Sequence, residues 1–140
     1  MSKPRVLIDT NILLSGLIWN GNEARLLEMA ITGDVHLLVP EFVLGEAHRV
    51  LARKFPGHEQ LLDEVIALLD HEILGNPSTE RVESAKQMLR DPADAEVLAS
   101  IIESKPDFAV TGDKDLLTAD VRGIFPTCSC REFLRHAAED

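Results

Sequence analysis

Short apolar runs alternate along the chain with longer amphipathic ones, the pattern of buried strands spaced by helices. Arg5-Val6-Leu7-Ile8 reads as a buried strand that stops at Asp9. Residues 12–18 predict a short helix ahead of the Trp19-Asn20-Gly21-Asn22 turn. Leu26, Leu27, Ala30 and Ile31 give residues 23–32 a helical spacing, which Gly33 terminates. A second strand, His36-Leu37-Leu38-Val39, closes at Pro40, and a helix over 41–55 ends at Pro56-Gly57. Leu61, Leu62, Val65, Ile66 and Leu69 predict an amphipathic helix over 58–71, followed by an irregular connection over 72–78. Residues 79–90 predict a helix capped by Thr79, and Asp91-Pro92 opens another that runs to Ser104. Asp107-Phe108-Ala109-Val110 is a third strand, with the turn Thr111-Gly112-Asp113 after it. Pro126-Thr127-Cys128 gives a short last strand, and residues 131–138 a terminal helix.

Strands separated by helices imply parallel pairing through helical crossovers, hence an α/β sandwich. Right-handed crossovers bring the C-terminal ends of all strands to one edge, where α/β ligand sites usually lie. A chain of 140 residues is close to the usual size of one domain, so residues 1–140 are expected to share a single hydrophobic core.

Composition narrows the function classes. Apolar residues make up 45% and charged residues 27%, ordinary globular proportions that argue against disorder. The net charge of −10 excludes a simple basic module held to nucleic acid by phosphate contacts alone. No apolar run approaches the roughly 18 residues of a membrane span. Met1-Ser2-Lys3-Pro4 leads too quickly to Asp9 for a signal peptide. Cys128 and Cys130, one residue apart, would point to opposite faces of a strand and are not expected to pair. The expectation is a soluble protein of the reducing cytoplasm, with no membrane association. Trp19 and the five phenylalanines are scattered and are expected to pack in or over the core.

The carboxylates are more informative. Asp9 follows the first strand directly, and Asp113 follows the third across two small residues, so both lie on the strand-end edge. Helix capping would also explain an acid at either position. Glu46 falls on the shoulder of the stripe formed by Val43, Ala47, Val50 and Leu51, where an unpaired carboxylate is expensive unless it reaches out or pairs with Arg49 or Arg53. Asp94 falls midway in angle between Val97 and Leu98 on its helix. Asp91 is a natural cap there and Pro92 a natural first residue, which leaves Asp94 at a position that favours acids for its own reasons. Two carboxylates about 4 Å apart repel by about 4 kcal/mol at an effective dielectric near 20, so four gathered acids require a cation. All-oxygen ligation suits Mg²⁺ or Mn²⁺, an ion suited to phosphodiester hydrolysis.

Val6-Leu7-Ile8-Asp9-Thr10-Asn11-Ile12, Glu46, Asp91-Pro92-Ala93-Asp94-Ala95 and Val110-Thr111-Gly112-Asp113-Lys114-Asp115-Leu116 together resemble the PIN domain. The resemblance spans nearly the whole chain, to Cys130-Arg131-Glu132-Phe133-Leu134, with all four acidic landmarks in order. It implies a three-layer α/β/α sandwich on a short central parallel sheet, and a Mg²⁺- or Mn²⁺-dependent endoribonuclease. It implies that Asp9, Glu46, Asp94 and Asp113 are the catalytic, metal-binding acids. Asp115 would be an auxiliary acid, and Asn11 and Thr111 hydrogen-bonding supports; helix phase favours Asp94 over Asp91 as ligand. The subgroup it most resembles contains toxins of bacterial toxin–antitoxin pairs, which implies an RNA substrate, a small antitoxin partner and a homodimer.

Two other classes compete. A phosphoryl-transfer domain using Asp9 would want a second acid two residues later, where Asn11 stands, and no Gly-rich phosphate cradle is present. The second is a catalytically silent PIN-like binding partner, against which the four intact acids argue without deciding. A histidine nuclease has no support, since His36, His48, His58, His71 and His136 form no acid–base pair in sequence. RNA affinity in so acidic a chain must come from metal and from local cations, of which Arg49, Arg53 and Lys54 share the helix of Glu46 and Lys114 adjoins Asp113.

Overall fold

In a computed structural model, which describes residues 3–139, the apolar run after Pro4 forms β1 (Arg5–Ile8). α1 (Thr10–Ile18) and α2 (Asn22–Ile31) follow, and the chain turns at Gly33, whose φ of +85° suits a residue without Cβ. β2 (His36–Pro40) leads to α3 (Glu41–Lys54) and α4 (Glu59–Leu68), then β3 (His71–Leu74). α5 (Thr79–Lys86), a 3-10 turn over Pro92–Asp94 and α6 (Ala95–Ser104) precede β4 (Phe108–Val110). A second 3-10 turn, Lys114–Leu116, is followed by α7 (Ala119–Arg122), β5 (Thr127–Cys128) and α8 (Cys130–Glu139).

The five strands form one sheet in the order β3-β2-β1-β4-β5, every neighbouring pair parallel. From β1 the chain winds outward through β2 and β3, then crosses back to β4 on the other side of β1. The strand order therefore reverses between β1 and β4, and connections leave that gap in opposite directions. A crevice at the carboxyl ends of those two strands follows from the topology.

Alternate residues of the central strands feed two faces. Val6 and Ile8 of β1, Leu37 and Val39 of β2 and Val110 of β4 pack with Leu13, Leu26, Val43, Leu51, Leu62 and Phe133 from α1, α2, α3, α4 and α8. Leu7, Leu38 and Ala109 point the other way, against Ile101 of α6. Beside them Ala85 of α5 and Leu98 and Ala99 of α6 form a smaller cluster with Leu116. The result is the expected three-layer α/β/α sandwich on a short parallel sheet. No helix among the described residues is long and apolar enough to cross a membrane.

Several local expectations are corrected. The helix expected over 58–71 stops at Leu68, and the segment expected to be irregular contains β3. His71-Glu72-Ile73-Leu74 buries little because it is an edge strand, so it lacks the apolar run that marks the inner strands. Ser78, not Thr79, caps α5, its hydroxyl accepting the Arg81 N–H at 3.2 Å. The helix expected from Pro92 to Ser104 begins as a separate 3-10 turn, and α7 was not foreseen. Trp19 is 67% exposed rather than packed on the core. Cys128 and Cys130 are free thiols, as expected.

Candidate metal centre

β1 and β4 end side by side, and the residues just past them carry the first two acids. Asp9 leaves β1 in extended conformation and caps α1, its Oδ1 accepting the Ile12 N–H at 3.0 Å. Its Oδ2 accepts the hydroxyl of Thr111, the residue directly after β4. Thr111 Oγ1 in turn accepts the Asp113 N–H at 3.0 Å, and Asp113 Oδ1 accepts the Asp115 N–H at 2.8 Å, capping the second 3-10 turn. Capping, the simple explanation for both acids, is thus real. It also fixes their carboxylates beside each other at the crevice.

The second pair arrives from the opposite layer. Asp91 caps its 3-10 turn by accepting the Ala93 N–H at 3.0 Å, with Pro92 at the first helical position. Asp94 closes that turn as α6 begins. Asp91, Asp94 and Asp115 each offer a carboxylate oxygen, and these oxygens lie within 4.8 Å of one another. Asp94 also shares a hydrogen bond with Asp113, and the Asp113 charge acts in turn on Asp9. Asp9, Asp113, Asp94, Asp91 and Asp115 therefore form one continuous acidic group.

The electrostatics record this crowding. Burial, foremost, pushes the Asp94 carboxyl up to about 7, aided by its hydrogen bond to Asp113 and by the charges of Asp113, Asp91 and Asp115. Burial likewise raises Asp9, with the Asp113 charge adding to it, against the lowering effect of the Thr111, Ile12 and Gly112 hydrogen bonds. The Oδ2 atom of Asp94 is buried without a hydrogen-bond partner. Each ionised pair at such distances repels by about 3–4 kcal/mol at an effective dielectric near 20. A proton or a cation must relieve the group, and a buried carboxylate oxygen with nothing to bond is a ready ligand. An all-carboxylate donor set fits Mg²⁺ or Mn²⁺.

The remaining candidates divide. Glu46 stands on α3, which springs from the same sheet edge at the end of β2, but it is exposed rather than partly buried on the core stripe. Among the described residues it makes no ion pair with Arg49 or Arg53, so pairing does not account for it. Asn11 is exposed on α1 and makes no hydrogen bond to the acids. Asp91 and Asp115 join Asp94 more closely than their expected roles as cap and auxiliary acid suggested. The signal available in sequence was the doubled spacing of Asp91 with Asp94 and Asp113 with Asp115, two turns each presenting two acids. A cavity of about 810 Å³ opens at the opposite edge of the sheet, lined by Lys3, Met29, Val35, Phe108, Phe133 and His136 among others. None of the five acids lines it.

Comparison with known proteins agrees with this fold. The fold matches a protein from Pyrobaculum aerophilum, PAE2754, with a TM-score of 0.72 at 17% identity, covering 100% of this chain and 98% of that one. It matches a toxin–antitoxin complex from Klebsiella pneumoniae with a TM-score of 0.65 at 20% identity, covering 89% and 97% of the two chains. It also matches Mycobacterium tuberculosis VapC20, described as a sarcin–ricin loop cleaving toxin, with a TM-score of 0.58 at 15% identity over 86% and 95%. No curated protein matches the sequence. A PIN domain family model matches residues 5–115, a span that runs from β1 through Asp9, Glu46, Asp91, Asp94 and Asp113 to Asp115, and the chain belongs to the PIN domain family.

Proposed function

We propose that this chain is a divalent-metal-dependent endoribonuclease, using Mg²⁺ or Mn²⁺ to hydrolyse RNA phosphodiesters. The observation that carries the reading is the orphaned, buried Oδ2 of Asp94 within an acidic group at the point where the strand order reverses. Asp9, Glu46, Asp94 and Asp113 are the proposed metal-binding and catalytic acids, with Asp91 and Asp115 able to complete the set. Thr111 holds Asp9 and Asp113 in place through its one hydroxyl. A divalent ion bound there would supply an activated water and neutralise charge developing on the phosphate. Without it, Asp94 and Asp113 are able to share a proton, and cation binding releases that proton.

A similar toxin–antitoxin complex and a similar RNA-cleaving toxin support a further reading, in which the chain is the toxin of such a pair, restrained by a small antitoxin. In that reading residues 1–140 act as one PIN domain in the cytoplasm, as a homodimer. The test is cleavage of a mixed RNA pool with Mg²⁺ or Mn²⁺, alongside EDTA and the substitutions Asp9→Asn and Asp94→Asn. Cleavage lost in all three controls is expected. Cleavage that survives EDTA and both substitutions removes the metal mechanism, and an inert wild-type protein favours the binding-partner reading.

A further inference from the structure

Helix α3 carries cations that the rest of this acidic chain leaves alone. Acids outnumber Lys and Arg by 24 to 14, yet among the described residues Arg49, Arg53 and Lys54 form no ion pair or hydrogen bond to a side chain. At about 100° per residue, Arg49 and Arg53 fall within about 60° of Glu46 around the helix. All three are exposed. The stripe therefore begins near the acidic sheet edge with Glu46 and continues away from it as two free guanidinium groups.

Arg49 is also directed. Its Nη1 lies 3.4 Å from where a Cβ on Gly45 would sit, so the guanidinium folds back one turn toward the start of α3 and the end of β2. Long helical side chains slope in that direction. Gly45, an unfavourable residue for a helix interior, leaves that surface open.

We infer that Arg49, with Arg53 behind it, is a substrate-positioning residue that holds backbone phosphates of the RNA strand beside the acidic crevice. The inference rests on the nuclease reading. A net charge of −10 repels RNA at large, so binding depends on a few aligned cations near the site. An exposed guanidinium presents the planar fork that phosphate oxygens accept.

The test pairs cleavage of a labelled single-stranded RNA in Mn²⁺ with binding of the same RNA, read by fluorescence anisotropy on the Asp94→Asn background. Arg49→Ala is expected to raise KM about tenfold while kcat changes less than about twofold, the loss of one charge-assisted contact. The slope of log affinity against log salt is expected to shrink by about 0.7, the value of one phosphate contact on a single strand. Arg49→Lys keeps that slope, and Arg135→Ala on α8 changes neither quantity. RNA that is cut with KM and salt slope unchanged in both Arg49→Ala and Arg53→Ala overturns the inference and leaves the nuclease reading standing. RNA that is bound with the expected slope but never cut refutes hydrolysis and upholds the role of Arg49. Absence of any RNA binding by the wild type overturns it.

Discussion

Thr111 donates its hydroxyl to Asp9 across the gap between β4 and β1, joining residues 102 positions apart in the sequence. The same oxygen accepts the Asp113 N–H. One buried side chain thus sets the spacing of two acids that arrive on different strands, and it does so at the reversal point of the sheet.

Removing that hydroxyl while keeping the shape of the side chain tests the link. Thr111→Val leaves a buried acceptor on Asp9 and a backbone donor at Asp113 without a partner. A loss of about 1–3 kcal/mol is expected from urea unfolding at pH 7. Thr111→Ser, which keeps the hydroxyl, should recover most of it. Equal unfolding midpoints for wild type and Thr111→Val would mean that the hydroxyl is dispensable.

Stability without metal should fall as pH rises. Asp94, pushed up to about 7, and Asp9, also raised, bind protons more tightly folded than unfolded, where the ordinary value is 3.8. Between those values the unfolded chain has already lost the protons that the folded chain keeps, so folding is progressively penalised from about pH 4 to about pH 7 and levels off above. Thermal unfolding in EDTA should show this decline, and Asp94→Asn should flatten it. Mg²⁺ or Mn²⁺ at about 100 times its Kd should return about 2.7 kcal/mol to the wild type at pH 7.5. A metal effect that persists in Asp94→Asn would count against Asp94 as a ligand.

The start of α8 offers a prediction of opposite sign. Ser129 Oγ accepts the Glu132 N–H at 3.1 Å, and Glu132 Oε1 accepts the Ser129 N–H at 2.9 Å, a reciprocal cap. Arg122 donates to both Glu132 oxygens, and this, ahead of the Ser129 N–H, holds the Glu132 carboxyl down at about 2. Its contribution is present above the ordinary value of 4.5 and is lost as pH falls toward about 2. Ser129→Ala should cost about 1 kcal/mol. Glu132→Gln should cost less than about 1 kcal/mol, because the ion pair is solvent-exposed, and should remove the acid-limb dependence seen by circular dichroism.

At the other edge of the sheet, His36 of β2 lies between two carboxylates. Its Nδ1 is 2.6 Å from Asp70 and its Nε2 is 3.1 Å from Glu72 on β3. Both ring nitrogens donate only in the imidazolium, and the Asp70 bond, opposed by burial and aided by Glu72, raises the His36 pKa. This stabilisation of the edge strand is complete below the ordinary value of 6.5 and is lost as pH rises through the raised one. An NMR titration should place His36 above the ordinary value of 6.5, and Asp70→Asn should bring it down. Coincident titration of wild type and variant would show that the carboxylates do not hold the ring charged.

Much of this was legible in the residues themselves. The inner strands announced themselves as unbroken apolar runs because a parallel sheet covered on both faces buries every side chain. β3 stayed hidden because an edge strand buries few, and its identity comes from pairing with β2 rather than from its own composition. Asp9, Asp94 and Asp113 could be singled out, since each follows a strand or opens a helix at a position set by local chemistry. Glu46 could not be settled by helix phase. A wheel gives the angle of a side chain about the helix axis, whereas exposure depends on what packs alongside.

The sequence by itself determined which segments are strands of the core, where their carboxylates fall, and that the chain alternates β and α. Those are local properties, governed by side-chain pattern, capping and turn chemistry within a few residues. Only the tertiary structure decided that Asp115 meets Asp91 and Asp94, that one oxygen of Asp94 is buried without a partner, and that Asp9 is tied to Thr111. Each of these depends on the crossover that sets β4 beside β1, a long-range packing choice made by the whole core and written in no single stretch of the chain.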